Sequence, residues 1–328
     1  MKKVRLLGLL SVALALCASG LAAAPLRLAQ TVPLTHVKGG FDLMAADVAG
    51  KRLFVAAEDN NTIEVIDLGI GKHLRSISGF KEPKWVVYRP ESHRLYVSCG
   101  GDGSVRILDS RTFEPVKKFE FKEKANNLRY DPKRKELFVG VGKTFGEIAV
   151  IDTAQDKVKG EIKLANFPKQ FELDGNRIYV NVPTANHIAV IDRERMSVID
   201  TWPVTEAKGN VPMGADRRHK LLFIGCELGK LVVFDTGSGK SVASVGINAE
   251  PDGVHYDAKR KRIYVSCGEG SVDVIGQKQR DNYELVQRVA TAKGAATSLF
   301  IPELDRLCVA VPQREGQQAE IRMYEVGR

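Results

Sequence analysis

A pair of residues, an aromatic one followed by a β-branched one, recurs through the chain at intervals of roughly 42 residues. The copies are Phe54-Val55, Tyr96-Val97, Phe138-Val139, Tyr179-Val180, Phe223-Ile224, Tyr264-Val265 and a degenerate last one, Cys308-Val309. A fixed period of this length is typical of stacked supersecondary units. Every other motif of the 328-residue chain therefore has to be interpreted within a repeat.

Each repeat contains the same order of extended segments. An apolar segment is followed by a polar turn, a β-rich strand and a hairpin with glycine or asparagine, and then by an alternating strand such as Ile63-Glu64-Val65-Ile66. A fourth strand, for example Lys117 to Phe121, leads out. Alternation with a period of two between turn residues predicts strands. Seven such units predict an all-β, seven-bladed β-propeller with four-stranded antiparallel blades, forming a single domain over residues 25–328.

The two ends of the chain are expected to share the last blade. The seventh copy ends at Met323 to Val326 and lacks a fourth strand, whereas Leu26 to Leu34 precedes the first copy without belonging to it. We predict that this N-terminal segment supplies the outer strand of blade seven and closes the ring. Closure of this kind protects an otherwise open sheet edge.

The repeats resemble those of a known family. RIYVNVPTANHIAVIDR (Arg177 to Arg193) and RLFVAAEDNNTIEVIDL (Arg52 to Leu68) are similar to the YVTN β-propeller repeat, and the resemblance extends over residues 41–326. It implies a secreted, periplasmic or surface-layer protein. It implies little about activity, because propellers host binding proteins and unrelated enzymes alike.

The first residues have the order of a secretory signal peptide. Lys2, Lys3 and Arg5 are followed by the apolar run Leu6 to Cys17 and by small residues up to position 24. The run is too short to span a membrane, and no later segment is long and apolar enough to do so. Residues 1–24 are therefore expected to be a signal peptide, with a lipid anchor on Cys17 as an alternative. Its removal lowers the net charge from +9 to +6.

One stretch, RLYVSCGGDGSVRILDS (Arg94 to Ser110), returns as RIYVSCGEGSVDVIGQ (Arg262 to Gln277). Its glycines are followed by an alternating strand and not by a helix, which favours a hairpin with positive φ over a phosphate-binding loop. Cys99, Cys226 and Cys267 occupy matching places in blades two, five and six, so we expect free, buried thiols. Facing sheets lie about 10 Å apart, which is too far for a disulfide.

Aspartates end most of the third strands. They are Asp67, Asp109, Asp152, Asp192 and Asp235. An aspartate that opens a turn can accept hydrogen bonds from backbone N–H groups two residues further on. Its recurrence at one position of the blade predicts a structural role.

Aligning the repeats places one residue per blade near the start of the innermost strand, where propellers commonly bind ligands at the mouth of their channel. This ring consists of Asp42, Lys84, Asn126, Lys169, Met213, Asp252 and Ala296. Lysines and acids of the neighbouring loops, such as Lys81, Glu58 and Glu227, add further charge. A mouth of mixed charge suits a polar or anionic ligand held by hydrogen bonds and ion pairs.

Two other functions remain open from the sequence. Asp42, Asn126 and Asp252 resemble the carboxylate and amide set of calcium-dependent propeller lactonases, which leaves a lactonase- or lyase-like enzyme with Ca²⁺ as an alternative. The six histidines are scattered without a pair at ligand spacing, and C-x-x-C-H for covalent haem is absent.

Basic turns on the opposite face suggest the second alternative, binding of nucleic acid or an anionic polymer. They include Arg52, Arg94, Lys133-Arg134-Lys135, Arg177, Arg217-Arg218-His219-Lys220 and Lys259-Arg260-Lys261-Arg262. Aspartates punctuate the same turns, and aromatic residues that could stack bases are missing from them. The sequence therefore favours a monomeric, secreted or periplasmic binding protein, non-catalytic and without a predicted cofactor, that engages its ligand or a protein partner at the channel mouth.

Overall fold

A computed structural model describes residues 24–327, and residues 1–23 of the predicted signal peptide lie outside this range. Its strands, numbered in chain order, are β1 (Leu26–Pro33), β2 (Met44–Asp47), β3 (Arg52–Ala57), β4 (Thr62–Asp67), β5 (Lys72–Ile77), β6 (Pro83–Arg89), β7 (Arg94–Cys99), β8 (Ser104–Asp109), β9 (Pro115–Glu120), β10 (Ala125–Asp131), β11 (Glu136–Gly142), β12 (Gly146–Asp152), β13 (Lys157–Leu164), β14 (Phe171–Asp174), β15 (Arg177–Val182), β16 (His187–Asp192), β17 (Ser197–Pro203), β18 (Asn210–Asp216), β19 (Leu221–Cys226), β20 (Lys230–Asp235), β21 (Lys240–Gly246), β22 (Pro251–Asp257), β23 (Arg262–Cys267), β24 (Ser271–Gln279), β25 (Asn282–Ala290), β26 (Ser298–Ile301), β27 (Arg306–Val311) and β28 (Glu320–Val326). Three short 3₁₀ turns join strands at Pro90–Ser92, Pro183–Ala185 and Pro302–Leu304.

The strands form seven four-stranded antiparallel sheets, which confirms the predicted seven-bladed propeller. Blades 1 to 6 each take four consecutive strands, beginning with β2–β5 and ending with β22–β25. The first strands of neighbouring blades contact one another in sequence around the ring, including β26 of blade 7 against β2 of blade 1. These seven first strands therefore line a common central axis.

Blade 7 is completed by the N-terminal strand, as predicted. Its strand order is β26, β27, β28 and β1, and β1 pairs antiparallel with β28 from Leu26 opposite Val326 to Pro33 opposite Glu320. A bulge interrupts the register between Leu28 and Gln30. The ring is thus closed by backbone hydrogen bonds between the two ends of the described chain.

The core is divided among the blade interfaces. The described residues form seven buried apolar clusters, one between each pair of adjacent blades. The aromatic residues of the repeat are central to them, because Phe54, Tyr96, Phe138 and Phe223 are essentially inaccessible to solvent. The repeat period is therefore the spacing of residues that fill successive blade interfaces.

The hairpin glycines adopt a positive φ, as the sequence predicts. Gly103 has a φ of +63° and Gly270 a φ of +108°. A Cβ atom at Gly103 would lie 2.5 Å from the carbonyl oxygen of Glu123. The repeated CGGDGS and CGEGS stretches are hairpins between the second and third strands of blades 2 and 6, and their glycines meet the steric demand of the turn.

The strand-ending aspartates also have the expected structural role. Each accepts a hydrogen bond from the backbone N–H two residues further on, at 2.6–3.0 Å between nitrogen and Oδ1, and these residues are Asp67, Asp109, Asp152, Asp192 and Asp235. The turns between third and fourth strands are thereby stabilised in five blades.

Candidate functional site

Backbone irregularities present the ring residues at the channel mouth. The antiparallel register between first and second strands shifts at Pro83/Trp85 in blade 2 and at Pro251/Gly253 in blade 6. Lys84 and Asp252 are the residues left over by these shifts, and a residue in a β-bulge is commonly re-aimed away from the sheet. In blade 3 the shift between Ala125 and Leu128 leaves out Asn126 and Asn127 in the same way.

Lys84 links the first two blades at the mouth. Its ammonium group donates a hydrogen bond to Oε1 of Glu58 and lies 3.8 Å from Oδ2 of Asp42. The Lys84 side chain is 12% exposed and that of Asp42 is 17% exposed. Burial opposes the charge on Lys84, but Asp42 and Glu58 outweigh it and raise the pKa of the ammonium group. Lys84 is therefore a fixed cation within the site.

Asp42 and Asp252 bring two carboxyl groups from blades 1 and 6 into one electrostatic cluster. Burial is the main cause that raises the pKa of Asp42 well above its ordinary value, and repulsion from Asp252 adds to it. Burial, with the charge of Glu58, raises the pKa of Asp252 to about 6, although Lys169 and Lys84 act in the opposite direction. The mouth therefore holds a carboxyl pair that resists full ionisation.

A pocket of ≈ 600 Å³ lies beside this cluster. Its lining is Lys169, Val211, Glu227, Leu228, Ala249, Glu250, Pro251, Asp252 and Ala296. Three carboxylates thus face one ammonium group, and the Leu228 side chain, 83% exposed, stands at the edge. Among the residues that the structure describes, Lys169 forms no ion pair within 4 Å, and its ammonium group lies 5.7 Å from the centre of the Phe167 ring.

Met213 does not lie at the mouth, which corrects the alignment of blade 5. It pairs with Ile224 and is 1% exposed within the cluster between blades 4 and 5. The irregularity between Asn210 and Met213 contains two residues, Val211 and Pro212. Val211 therefore takes the place in the ring that the sequence alignment gave to Met213.

The residue after the aromatic–valine pair positions the next blade, a role that sequence reasoning missed. The Ser98 hydroxyl of blade 2 donates to the Asn126 carbonyl of blade 3, and Ser266 of blade 6 donates to the Ala296 carbonyl of blade 7. In blade 4, the Asn181 side-chain amide donates to the Val211 carbonyl at 3.2 Å. The recurrence of a serine or asparagine after the pair, as YVS and YVN, was the sequence pattern that could have indicated this role. These bonds fix the backbone of the ring residues.

Lys84 lies beside Asp42, one of the three residues of the calcium-binding set suggested by the sequence. Asp42 and Asp252 belong to one cluster, but Lys84 stands between Asp42 and Glu58, where a metal ion would have to replace it. Asn126 contributes its backbone carbonyl to the bond with Ser98. The arrangement is a polar site of mixed charge in which Asp42 and Glu58 share the ammonium group of Lys84.

Ion pairs neutralise much of the basic face. Arg52 pairs with Asp47, Arg94 with Asp156, and Arg177 with Asp192. Arg217 pairs with Glu172 at 2.7 Å, and Arg260 bridges Asp257 and Asp305. A pocket of ≈ 450 Å³ on this face is lined by Arg129, Lys133, Arg134, Arg193 and Arg217 together with Asp131 and apolar residues. The face is therefore a network of paired charges more than a continuous basic patch.

All four cysteines of the described chain are buried and free, which confirms the prediction for Cys99, Cys226 and Cys267. Burial raises the pKa of Cys226, Cys267 and Cys308 to about 12 and raises that of Cys99 as well. These thiols remain protonated at neutral pH and are poor nucleophiles.

Comparison with known proteins supports the fold. No family model matches the chain. The uncharacterized protein YncE of Salmonella typhi is 29% identical over 98 residues, which are 30% of this chain and 28% of that protein. No helix among residues 24–327 is long and apolar enough to cross a membrane.

Solved structures resemble the chain over most of its length. A chain of the hydrazine synthase of Kuenenia stuttgartiensis superposes with a TM-score of 0.73 at 18% identity, covering 88% of this chain and 97% of that one. A chain of a mitotic checkpoint complex superposes with a TM-score of 0.75 at 13% identity, covering 99% of each. At these identities the likeness concerns the fold alone, and it agrees with the seven four-stranded blades of this chain.

Proposed function

We propose that this chain is a secreted or periplasmic binding protein of the YVTN propeller type, and that its channel mouth holds a small polar ligand with both a basic and an acidic or carbonyl group. The observation that carries the proposal is the pocket in which Lys169, without an ion-pair partner among the described residues, faces Glu227, Glu250 and Asp252. An ammonium group of a ligand would pair with the carboxylates, and its carboxylate or carbonyl oxygen with Lys169.

The charge of the pocket narrows the ligand class given by the sequence. Three carboxylates against one ammonium group disfavour a ligand that carries only negative charge. A cationic group placed near Asp252 would favour the ionised carboxylate, whose pKa of about 6 reflects burial. A zwitterion satisfies both signs of charge. Of the polar or anionic ligand expected from the sequence, we therefore keep the polar ligand and do not propose a purely anionic one.

Leu228 adds an apolar contact to the same pocket. It is the most exposed of the large hydrophobic side chains in residues 24–327, and it lies beside Val211 and Pro251 in the lining. Binding sites commonly combine an apolar wall with a few convergent polar groups. Leu228 is therefore expected to cover the carbon skeleton of the ligand.

Export is supported by the order of charged, apolar and small residues in the first 24 positions. Cell fractionation with N-terminal sequencing tests it. We expect the protein in the periplasm or the medium, with a new N-terminus between residues 20 and 25. A cytoplasmic protein that keeps Met1 contradicts this part of the proposal.

The binding proposal is tested by mass spectrometry of small molecules extracted from protein purified from its native compartment. The variants are Lys169→Met and Asp252→Asn, and the control is Lys122→Met, a lysine exposed on the same rim. We expect a zwitterionic compound in wild type and control, reduced at least tenfold in both pocket variants. Thermal melts with free amino acids and amino sugars provide a second readout. Equal recovery from all four proteins, or recovery of purely anionic compounds, overturns the proposal.

A further inference from the structure

Three potential metal ligands from separate parts of the chain converge where blade 7, which the two ends of the described chain complete, meets blade 1. His36 lies in the connection that follows β1, Glu64 on β4 and His73 on β5. Nε2 of His73 lies 2.7 Å from Oε2 of Glu64, and Nε2 of His36 lies 3.2 Å from the same oxygen. All three ligand atoms lie within 4.8 Å of one another. The fold thus assembles a pair of histidines that the sequence spacing did not reveal.

Glu64 is a buried carboxylate without an arginine or lysine partner among the described residues. Its side chain is 0% exposed, and the described residues give it hydrogen bonds from Thr62, Ser76 and the two histidines but no lysine or arginine. A buried carboxylate is costly without a neutralising cation. A positively charged group or ion is therefore expected beside the Glu64 carboxylate.

Blade 6 shows how the same position is neutralised elsewhere in the ring. Asp273 is the third residue of β24, as Glu64 is of β4, and its side chain is also 0% exposed. Arg288, opposite Asp273 on β25, donates to both carboxylate oxygens at 2.8 and 2.7 Å. In blade 1 the residue opposite Glu64 is Ser76, so the arginine is missing.

Further hydrogen bonds hold the carboxylate in place. Oε1 of Glu64 accepts from the Thr62 hydroxyl at 2.5 Å, and the Thr62 hydroxyl accepts from the Asn60 side-chain amide at 2.9 Å. Oε2, the oxygen that faces both histidines, is left to contact them and Ser76. Carboxylate ligands of metal ions are oriented by such outer partners.

We propose that His36, Glu64 and His73 bind a divalent transition-metal ion, with Zn²⁺ as the best match. Two imidazole nitrogens and one carboxylate oxygen form a donor set that Zn²⁺ uses with water as the fourth ligand. Bonds of roughly 2.0–2.1 Å place tetrahedral ligand atoms about 3.3 Å apart. The separation of 3.2 Å between His36 and Glu64 is already close to that value. The 45% exposure of His36 leaves a side open for water.

The ion would take the place of the missing arginine and would also link blade 7 to blade 1. His36 lies shortly after the outer strand of blade 7, whereas Glu64 and His73 belong to blade 1. A metal bond between them ties the closing strand to the next blade. Metal binding is therefore expected to stabilise the ring as well as Glu64.

The test is titration of untagged, chelator-stripped protein with ZnCl₂, followed by calorimetry and thermal melts. We expect one Zn²⁺ per chain and a melting temperature higher by several degrees. His36→Ala and His73→Ala should each weaken binding at least tenfold, and Thr62→Val, which alters only the support of Glu64, by about 10- to 100-fold. His219→Ala removes a histidine that is 54% exposed and paired with Asp216, and it serves as the control.

Co²⁺ provides an independent readout, because four-coordinate Co²⁺ with nitrogen and oxygen ligands absorbs visible light strongly. We expect this absorption in wild type and in His219→Ala and not in the double variant His36→Ala/His73→Ala. The proposal is overturned if Zn²⁺ neither binds nor stabilises, or if the double variant binds it as well as wild type does. Stabilisation by acid alone, without any effect of Zn²⁺, would show that protonated histidines neutralise Glu64 and would equally overturn it.

Discussion

Leu26 lies directly opposite Val326, so that the first and last strands of the described chain form one antiparallel pair. Leu26 is 2% exposed and packs in the interface between blades 6 and 7. Leu28, two residues further along the same strand, is exposed to solvent. The two leucines of the closing strand therefore differ in burial, and a substitution at each should differ in its cost.

Leu26→Ala is expected to lower the free energy of unfolding by about 2–5 kcal/mol, because it leaves a cavity in the interface between blades 6 and 7. Leu28→Ala is the matched control and should change it by no more than about 0.5 kcal/mol. Urea unfolding followed by circular dichroism measures both. Removal of the whole segment up to Leu34 should abolish cooperative unfolding; a truncated protein with the full melting transition would contradict closure by β1.

Met213→Ala is expected to destabilise the fold by about 2–5 kcal/mol without affecting the channel mouth, since Met213 packs between blades 4 and 5. Denaturant melts and the recovery of bound small molecules measure the two effects separately. A large loss of ligand with little loss of stability would restore Met213 to the ring and refute the register of blade 5.

The four buried thiols should be unreactive in the folded protein. Their raised pKa values keep them protonated at pH 8, and burial restricts access. We expect negligible reaction of Cys99, Cys226, Cys267 and Cys308 with iodoacetamide in native buffer and complete reaction in denaturant. Peptide mass spectrometry resolves the sites. Rapid native labelling at any of them, or a disulfide-linked peptide, would disagree with this environment.

Asp252→Asn should stabilise the protein at neutral pH. A carboxyl group whose folded pKa is raised to about 6 from 3.8 favours folding below the unfolded value, and this contribution is lost as pH rises through 6. At pH 7.5 the ionised Asp252 therefore costs stability, and the amide should recover about 1–3 kcal/mol.

Unfolding free energies measured from pH 3.5 to 7.5 check this sign. The advantage of Asp252→Asn should be small at pH 3.5 and should grow between pH 4 and 6. An advantage that is independent of pH would mean that ionisation of Asp252 has no part in it.

The fold was predictable because each repeat encodes its own strands and turns. The period of the aromatic–valine pair sets the number of blades, and the unassigned segment before the first copy indicates how blade 7 is completed. The resemblance to YVTN repeats pointed to the same architecture. The five turn aspartates were correctly interpreted for the same local reason, since their hydrogen bonds lie within two or three residues.

The site was less predictable because it depends on backbone details and on contacts between distant segments. A two-residue irregularity in blade 5 places Val211, and not Met213, in the ring. Lys84 was recognised as a ring residue, but its bonds to Glu58 and Asp42 follow from the packing of blades 1 and 2. His36 and His73 become neighbours only when β1 closes the ring, which no spacing rule anticipates.

The most direct test of the assembled mouth is the pKa of the Asp42 carboxyl group, measured by NMR titration in wild type and in Asp252→Asn. Asp42 and Asp252 belong to blades 1 and 6, and they influence each other only if the ring brings both to one opening. The pKa of Asp42 should be raised in wild type and should fall in the variant, while burial keeps it above the ordinary value. An identical pKa of Asp42 in the two proteins would contradict the shared site.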